Sequence, residues 1–176
     1  MRLFIAINFD DDTKMKIYNE AIVLKDMASS YNFSSINNYH LTLAFLGEVD
    51  KSKVDLIRSI IDSIPFINMD LKILGYGSLK RDDKELIFRY IKVDERLFKL
   101  VSKLKDELIS RGFNVDMKRF KPHLTISRET KFITDIDARF IKVDEINTKI
   151  KSIDLMESFR INGVLKYRSL YKALLK

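Results

Sequence analysis

The sequence YHLTLAF at residues 39–45 and the sequence PHLTISR at residues 122–128 hold both histidines of this 176-residue chain. In each segment the histidine is followed by leucine, threonine and an aliphatic residue. Residues two apart in a β-strand point to the same face of the sheet. Each motif therefore predicts a strand with His and Thr on one face and apolar side chains on the other. The polar faces hold His40 with Thr42 and His123 with Thr125, and the apolar faces hold Leu41, Leu43, Leu124 and Ile126.

The sequence around these motifs repeats with a constant spacing. Each half is predicted to contain a helix, a histidine strand, a connecting segment and a hairpin. The helices begin near Asp10 and Asp94, 84 residues apart, and the histidines are 83 residues apart. Matching offsets indicate two copies of one unit, related by a pseudo-twofold axis. We therefore expect one domain over 1–176, with halves 1–93 and 94–176, in which the two polar faces meet across a shared cleft.

Hydrophobic periodicity and turn signals place the other elements, which together predict an α+β fold. Strands are predicted at 2–8, 39–47 and within 113–127, and helices at 10–28, 51–63 and 94–111. Hairpins are predicted at 67–93, turning around 80–83, and at 146–175, turning at Asn162-Gly163. The helix over 94–111 is expected to end at Gly112 and to bury Leu97, Leu100, Val101, Leu104 and Leu108.

The composition excludes several classes of protein. Hydrophobic residues form 46% of the chain and charged residues 32%, as is typical of globular proteins. No apolar run approaches the roughly 18 residues of a membrane span, and we expect no signal peptide at the N-terminus. Because the chain has no cysteine, it carries neither disulfides nor thiol chemistry, which fits a cytoplasmic location. The net charge of +7 favours anionic partners such as nucleic acids or nucleotides.

Two imidazoles that face each other across a cleft suit in-line displacement at phosphorus. One takes a proton from the attacking oxygen and the other gives a proton to the leaving oxygen. The threonine hydroxyls can donate to the non-bridging oxygens, where negative charge accumulates in the transition state. No metal is then required, and a chain with two histidines and no cysteine is not expected to form a zinc site. The alternative is a pair of structural, hydrogen-bonded imidazoles, which does not account for the duplicated motif.

Three residues beside the motifs are candidates for substrate binding. Phe45 and Arg128 each stand five positions after a histidine. An odd offset along a strand points a side chain away from the histidine unless a bulge turns it back. We nevertheless expect Arg128 to reach the phosphate, because a guanidinium clamps phosphate oxygens. Phe45 is expected in the core in preference to stacking on a base, and Lys121 is a candidate contact for a polynucleotide backbone.

These motifs resemble those of the 2H phosphoesterase superfamily, which is named for its paired His-x-Thr/Ser-x sequences. More narrowly, the chain resembles the RNA 2′,3′-cyclic phosphodiesterases, also called 2′-5′ RNA ligases or LigT-like proteins. The resemblance implies a two-lobed α+β fold, with antiparallel sheets lining a central cleft and helices outside. It covers nearly the whole chain, in the segments 2–6, 40–49, 121–128, 155–158 and 163–167.

The resemblance also implies an activity and a role for each site residue. The implied reaction opens a 2′,3′-cyclic phosphate, on an RNA end or a nucleoside, to a 2′-phosphate without a metal or cofactor. The resemblance makes His40 the proton donor and His123 the proton acceptor, whereas the symmetry of the sequence does not choose between them. It matches Thr42 and Thr125 to donors for the phosphate oxygens, and Arg128 to a phosphate contact.

Other functions stay open at the level of the sequence. The same groups acting in reverse would join RNA halves as a 2′-5′ ligase, and a small cyclic nucleotide such as ADP-ribose cyclic phosphate is another substrate within the superfamily. A non-catalytic RNA-binding module fits the charge of +7 equally well. Binding alone, however, requires no duplication of His and Thr at this spacing. We expect the protein to be a monomer.

Overall fold

Two antiparallel sheets form the framework of the protein, whose computed structural model describes residues 1–65 and 68–174. The strands are β1 (Arg2–Asn8), β2 (Ala28–Phe33), β3 (His40–Glu48), β4 (Asp70–Arg81), β5 (Lys84–Lys92), β6 (His123–Phe132), β7 (Ile146–Lys149), β8 (Ser152–Ile161) and β9 (Val164–Leu174). The α-helices are α1 (Asp11–Ala21), α2 (Val23–Asp26), α3 (Val54–Ser63) and α4 (Glu95–Ser110). The first sheet has the order β3-β1-β8-β9 and the second β2-β6-β5-β4-β7. This architecture confirms the predicted α+β class.

The two sheets share one pattern of strands. The order β3-β1-β8-β9 of the first sheet corresponds to β6-β5-β4-β7 in the second, to which β2 is added at the edge. A histidine strand therefore lies beside β1 in one sheet and beside β5 in the other. Each sheet contains strands from both 1–93 and 94–176, so neither half is a lobe. In this correspondence β5 takes the place of β1, and the division of the chain into two copies of one unit stays a prediction.

The apolar faces of the two sheets and the helices share one core. Leu41, Leu43, Leu124 and Ile126 are all buried in it, as the alternation in the two motifs predicts. The five apolar side chains predicted for α4 are buried as well, and Gly112 follows the helix with a φ of +82°, a conformation that favours glycine. Within the described ranges, no helix combines the length and the hydrophobicity that crossing a membrane demands.

The predicted helix over 10–28 is too long. Helix α1 ends at Ala21, a short second helix follows, and Ala28–Phe33 form β2, an edge strand that pairs with β6. The sequence analysis missed β2 because four of its six residues are exposed, so it shows no alternation of apolar and polar residues. The other two helices stand close to the predicted positions, although 51–53 form a 3-10 turn before α3.

The two hairpins differ in how closely they match prediction. Strands β4 and β5 form the predicted first hairpin, with Asp82 in the turn at a φ of +56°. In the second, β8 and β9 pair around Asn162-Gly163, both at positive φ as expected. Residues 146–149, however, form β7 and join the other sheet beside β4. Residues 67 and 175, at the ends of the predicted hairpins, lie outside the described residues.

Arg89 lies on the core-facing side of β5 and is a fully buried cation. Its guanidinium bonds to the Glu20 carboxylate of α1 and to the carbonyls of Leu74 and Asp144, the last at 2.7 Å. It also lies 5.2 Å from the ring of Tyr76. Because a buried charge is tolerated only with full pairing, this cluster fixes helix α1 against the second sheet. Hydrophobic patterning gives no sign of it.

Replacing Arg89 should therefore destabilise the fold strongly. Arg89→Leu leaves a carboxylate and two carbonyls without their donor, and we expect the free energy of unfolding to fall by about 3–5 kcal/mol. Urea denaturation measures the change. Lys131→Met removes an exposed partner of Asp83 and should cost less than about 1 kcal/mol. Equal losses in the two variants would contradict the structural role of Arg89.

Candidate active site

The histidine strands approach each other although they belong to different sheets. His40 begins β3 and His123 begins β6, and these two strands pack together. His40 also lies within electrostatic range of both His123 and Arg128. The two polar faces predicted from the motifs therefore come together in one site. His40 is half-buried, whereas His123 is exposed.

Both imidazoles are held by the same hydrogen bond. Nδ1 of His40 lies 2.6 Å from the carbonyl oxygen of Asn38, and Nδ1 of His123 lies 2.7 Å from that of Lys121. A carbonyl oxygen only accepts, so Nδ1 carries the proton in both rings. Nε2 is then the nitrogen that gains or loses a proton. In His40 it lies 2.9 Å from Oγ1 of Thr42, so the imidazole and the hydroxyl form one polar unit.

A β-bulge interrupts both histidine strands at the same place. In β3, Thr42 and Ala44 pair with adjacent residues of β1, so Leu43 is the extra residue. In β6, Thr125 and Ser127 pair with adjacent residues of β5, so Ile126 is the extra residue. The bulge shifts the alternation by one position. The fifth residue after each histidine therefore returns to the polar face.

The bulges decide the positions of Phe45 and Arg128. Arg128 lies on the face of His123, and its charge lowers the pKa of His40. Its contact with a phosphate stays a prediction. Its Nη1 atom donates a long hydrogen bond of 3.4 Å to Oγ of Ser34. The expectation that Phe45 lies in the core is wrong, since its side chain is 63% exposed. The sequence analysis missed this because the bulge is not visible in the alternation of the motif.

Aromatic rings surround His40, and the sequence analysis missed two of them. The ring of Phe4 lies 5.0 Å from the imidazole and the ring of Tyr167 lies 5.2 Å from it, nearly edge-on. Phe4 also lies 6.1 Å from Phe45. Phe4 and Ala6 face this site from β1. All residues of the run 3–7 are apolar, so the sequence does not show which of them face the site.

A second aromatic pair lies beside His123. Phe88 and Tyr90 are paired in register with Thr125 and His123, and the ring of Phe88 lies 5.7 Å from the imidazole. Gly77 permits this arrangement, because a Cβ there would lie 2.6 Å from the ring of Phe88. The spacing of Phe88 and Tyr90 could have predicted this pair, because residues two apart in a strand share a face.

The electrostatic setting of His40 keeps its ring neutral. Burial lowers its pKa to about 4, the hydrogen bond to Asn38 opposes this, and the positive charges of Arg128 and Lys14 lower it further. Burial also lowers the pKa of Lys14. The cationic surroundings of a neutral imidazole form a site to which an anion is attracted.

Lys121 contributes to the site through its backbone. Its carbonyl orients His123, while its side chain is exposed. The side-chain contact with a polynucleotide stays a prediction. Within residues 1–65 and 68–174, His, Cys, Asp and Glu form no group of three or more arranged to hold a metal ion.

Two sheets that each present a His-x-Thr strand to a common site define the class of 2H phosphoesterases. Solved structures share the fold: TT0787 of Thermus thermophilus matches with a TM-score of 0.80 at 18% identity, covering 99% of this chain and 98% of that one. LigT of E. coli, solved with 3′-AMP, matches with a TM-score of 0.80 at 22% identity, covering 99% and 97% of the two chains.

Curated proteins narrow the class to a family. The RNA 2′,3′-cyclic phosphodiesterase of Thermotoga maritima is 33% identical, over 94% of this chain and 93% of that protein. The protein of the same name from Archaeoglobus fulgidus is 29% identical, over 73% of this chain and 72% of its own length. No protein-family model matches the chain. The chain belongs to the RNA 2′,3′-cyclic phosphodiesterase family.

The low pKa of His40 predicts a specific dependence of stability on pH. The unfolded chain binds a proton at His40 below about pH 6.5, whereas the folded protein does so only near pH 4. The free energy of unfolding should therefore fall as the pH drops from 6.5 to 4, by at most about 3 kcal/mol from this group. His40→Phe, which keeps an uncharged ring, should remove this part of the decline. Urea denaturation across this range measures it, and parallel curves for the two proteins would contradict the assignment.

Proposed function

We propose that this protein hydrolyses the terminal 2′,3′-cyclic phosphate of RNA to a 2′-phosphomonoester by acid–base catalysis with two histidines. Water attacks phosphorus and the bond from phosphorus to O3′ breaks, which leaves a 3′-hydroxyl. The observation that carries the proposal is the duplicated hydrogen bond at Nδ1, which makes Nε2 the proton-exchanging nitrogen of both His40 and His123. The relatives named RNA 2′,3′-cyclic phosphodiesterase support this choice of substrate.

The two histidines take complementary parts in the reaction. His123 accepts the proton of the attacking water at Nε2, and His40 donates a proton from Nε2 to the leaving O3′. This assignment follows the family resemblance. The exposure of His123 supports it, because a base that activates water needs access to solvent. The half-buried His40 is suited to protonate the leaving O3′, because the bound substrate covers that oxygen and shields it from solvent.

Hydroxyl and guanidinium groups stabilise the phosphate. Thr42 and Thr125 donate to the non-bridging oxygens, on which negative charge increases as water attacks. Arg128 neutralises the same oxygens from β6. The bulges support this role, since they turn Arg128 to the side of the threonines.

His40 must be protonated to act as an acid, and the substrate supplies the reason. With no anion bound, burial lowers its pKa to about 4, and the charges of Arg128 and Lys14 act in the same direction. A phosphate seated between His40, His123 and Arg128 places a negative charge against the ring and counters those cations. Binding of the substrate therefore raises the pKa of His40 and prepares the acid.

Phe45 holds the terminal base in this proposal. Its exposed ring lies on the polar face of β3 and is supported from behind by Phe4. Stacking of bases on aromatic side chains is the usual way in which proteins hold single-stranded RNA. We therefore assign Phe45 to base stacking, and the basic side chain of Lys121 to the RNA backbone.

Removing either histidine should abolish most of the activity. His40→Ala and His123→Ala each remove a proton-transfer group, and we expect kcat to fall at least about 100-fold. The assay is hydrolysis of adenosine 2′,3′-cyclic monophosphate in excess EDTA, with the 2′-phosphate identified as product. Gly75→Ala serves as a control, because a Cβ at that position meets no neighbour within 4 Å. Full activity in either histidine variant, or loss of wild-type activity in EDTA, would contradict the mechanism.

The pH profiles test the effect of the bound phosphate on His40. The profile of kcat/KM reports the pKa values of the free enzyme, and the profile of kcat reports those of the complex. Because the bound phosphate raises the pKa of His40, the limb that reports His40 should lie at higher pH in the profile of kcat than in that of kcat/KM. Coincident profiles would contradict the proposed role of the phosphate.

A further inference from the structure

A hollow of about 420 Å³ lies beside the site, between α1, α2 and the segment that joins β2 to β3. Its volume is within the range of pockets that bind small molecules, roughly 300–1,000 Å³. Aromatic, basic and hydroxyl side chains line it, among them Tyr18, Lys25, Phe33, Ser34 and Tyr39. The reaction proposed above does not use any of these side chains.

Tyr39 marks the hollow as a binding site. Its side chain is 1% exposed, and its buried hydroxyl has no hydrogen-bond partner among the described residues. A buried hydroxyl without a partner costs free energy, and a ligand with a polar edge would satisfy it. Burial raises the pKa of Tyr39, so the hydroxyl keeps its proton and can donate it.

Three other lining residues combine aromatic rings with a positive charge. The ammonium group of Lys25 lies 5.4 Å from the ring centre of Phe33 and 5.7 Å from that of Tyr18. Aromatic rings for stacking and a cation for the backbone are the two elements of single-strand binding. These side chains therefore suit a nucleobase with a phosphodiester beside it.

Ser34 connects the hollow to the phosphate site. Its backbone N–H donates to the carbonyl of Ile126 in β6, at 2.8 Å, and its hydroxyl accepts from Arg128. The side chain that would hold the reacting phosphate thus touches a residue that lines the hollow. A nucleotide bound there would lie directly beside the one being hydrolysed.

The shape of an RNA end indicates which nucleotide this is. The terminal ribose carries its cyclic phosphate at C2′ and C3′, its base at C1′ and the upstream chain at C4′. Base and upstream chain therefore leave the ring at opposite ends. If Phe45 on β3 holds the terminal base, the upstream chain leaves towards β6 and Ser34.

We propose that the hollow binds the nucleobase of the penultimate nucleotide, with Tyr39 donating to its edge and Tyr18 and Phe33 beside its face. This inference rests on the proposed function. It predicts an enzyme that acts better on oligonucleotide ends than on free cyclic mononucleotides.

The test compares three substrates with the same terminal group: adenosine 2′,3′-cyclic monophosphate, the adenosine dinucleotide with that end, and the dinucleotide lacking its upstream base. We expect kcat/KM of the wild type to be about tenfold higher for the complete dinucleotide than for the abasic one. Tyr39→Phe, which removes only the hydroxyl, should reduce this ratio about fivefold to tenfold. Phe45→Ala should instead lower kcat/KM for all three substrates.

Tyr171→Phe is the control. It removes the same group from β9, where the hydroxyl donates to Asp62 and does not line the hollow. In this control variant, the ratio of kcat/KM for the complete dinucleotide to kcat/KM for the abasic one should equal the wild-type ratio. Equal kcat/KM for the complete and abasic dinucleotides, or equal ratios in Tyr39→Phe and wild type, would overturn the inference and leave the proposed function intact. Failure of the wild type to hydrolyse any of the three would overturn the proposed function itself.

Discussion

The site depends on how the two histidine strands, β3 and β6, pair with their neighbours β1 and β5. In each pairing a one-residue bulge follows the threonine and decides which side chains face the site. A regular strand would send Phe45 and Arg128 into the core, where a guanidinium without partners is not tolerated. The bulge after each threonine reverses their direction. The same pairing sets Asn8 opposite His40 and Tyr90 opposite His123. The register of backbone hydrogen bonds therefore decides which side chains line the site.

Electrostatics give the site its preference for anions. Arg128 and Lys14 both act on a half-buried ring, and they are tolerated because His40 stays neutral. A neutral imidazole among cations costs less than another buried charge. The two histidines have the same hydrogen bond at Nδ1 but different exposure, so a symmetric sequence produces one half-buried and one exposed imidazole.

Much of this arrangement could be predicted from the sequence, because it depends on periodicity and on rare residues. The two His-x-Thr strands, the buried face of α4 and the turn at Asn162-Gly163 follow from spacing alone. The exposure of Phe45 could not be predicted, since a bulge is a property of the pairing and leaves no mark on one strand. Strand β2 was missed because most of its residues are exposed, and the buried Arg89 was missed because its partner in α1 is distant in sequence. The hollow beside Tyr39 likewise exists only after α1 packs on the segment before β3.

The exchange of strands between the two copies of the unit has an evolutionary consequence. Strand β4 of the first copy completes the sheet of the second, and β8 of the second completes the sheet of the first. A single ancestral copy would have left that position beside its central strand unfilled. Two identical chains could fill it for each other, as a symmetric homodimer with intertwined subunits.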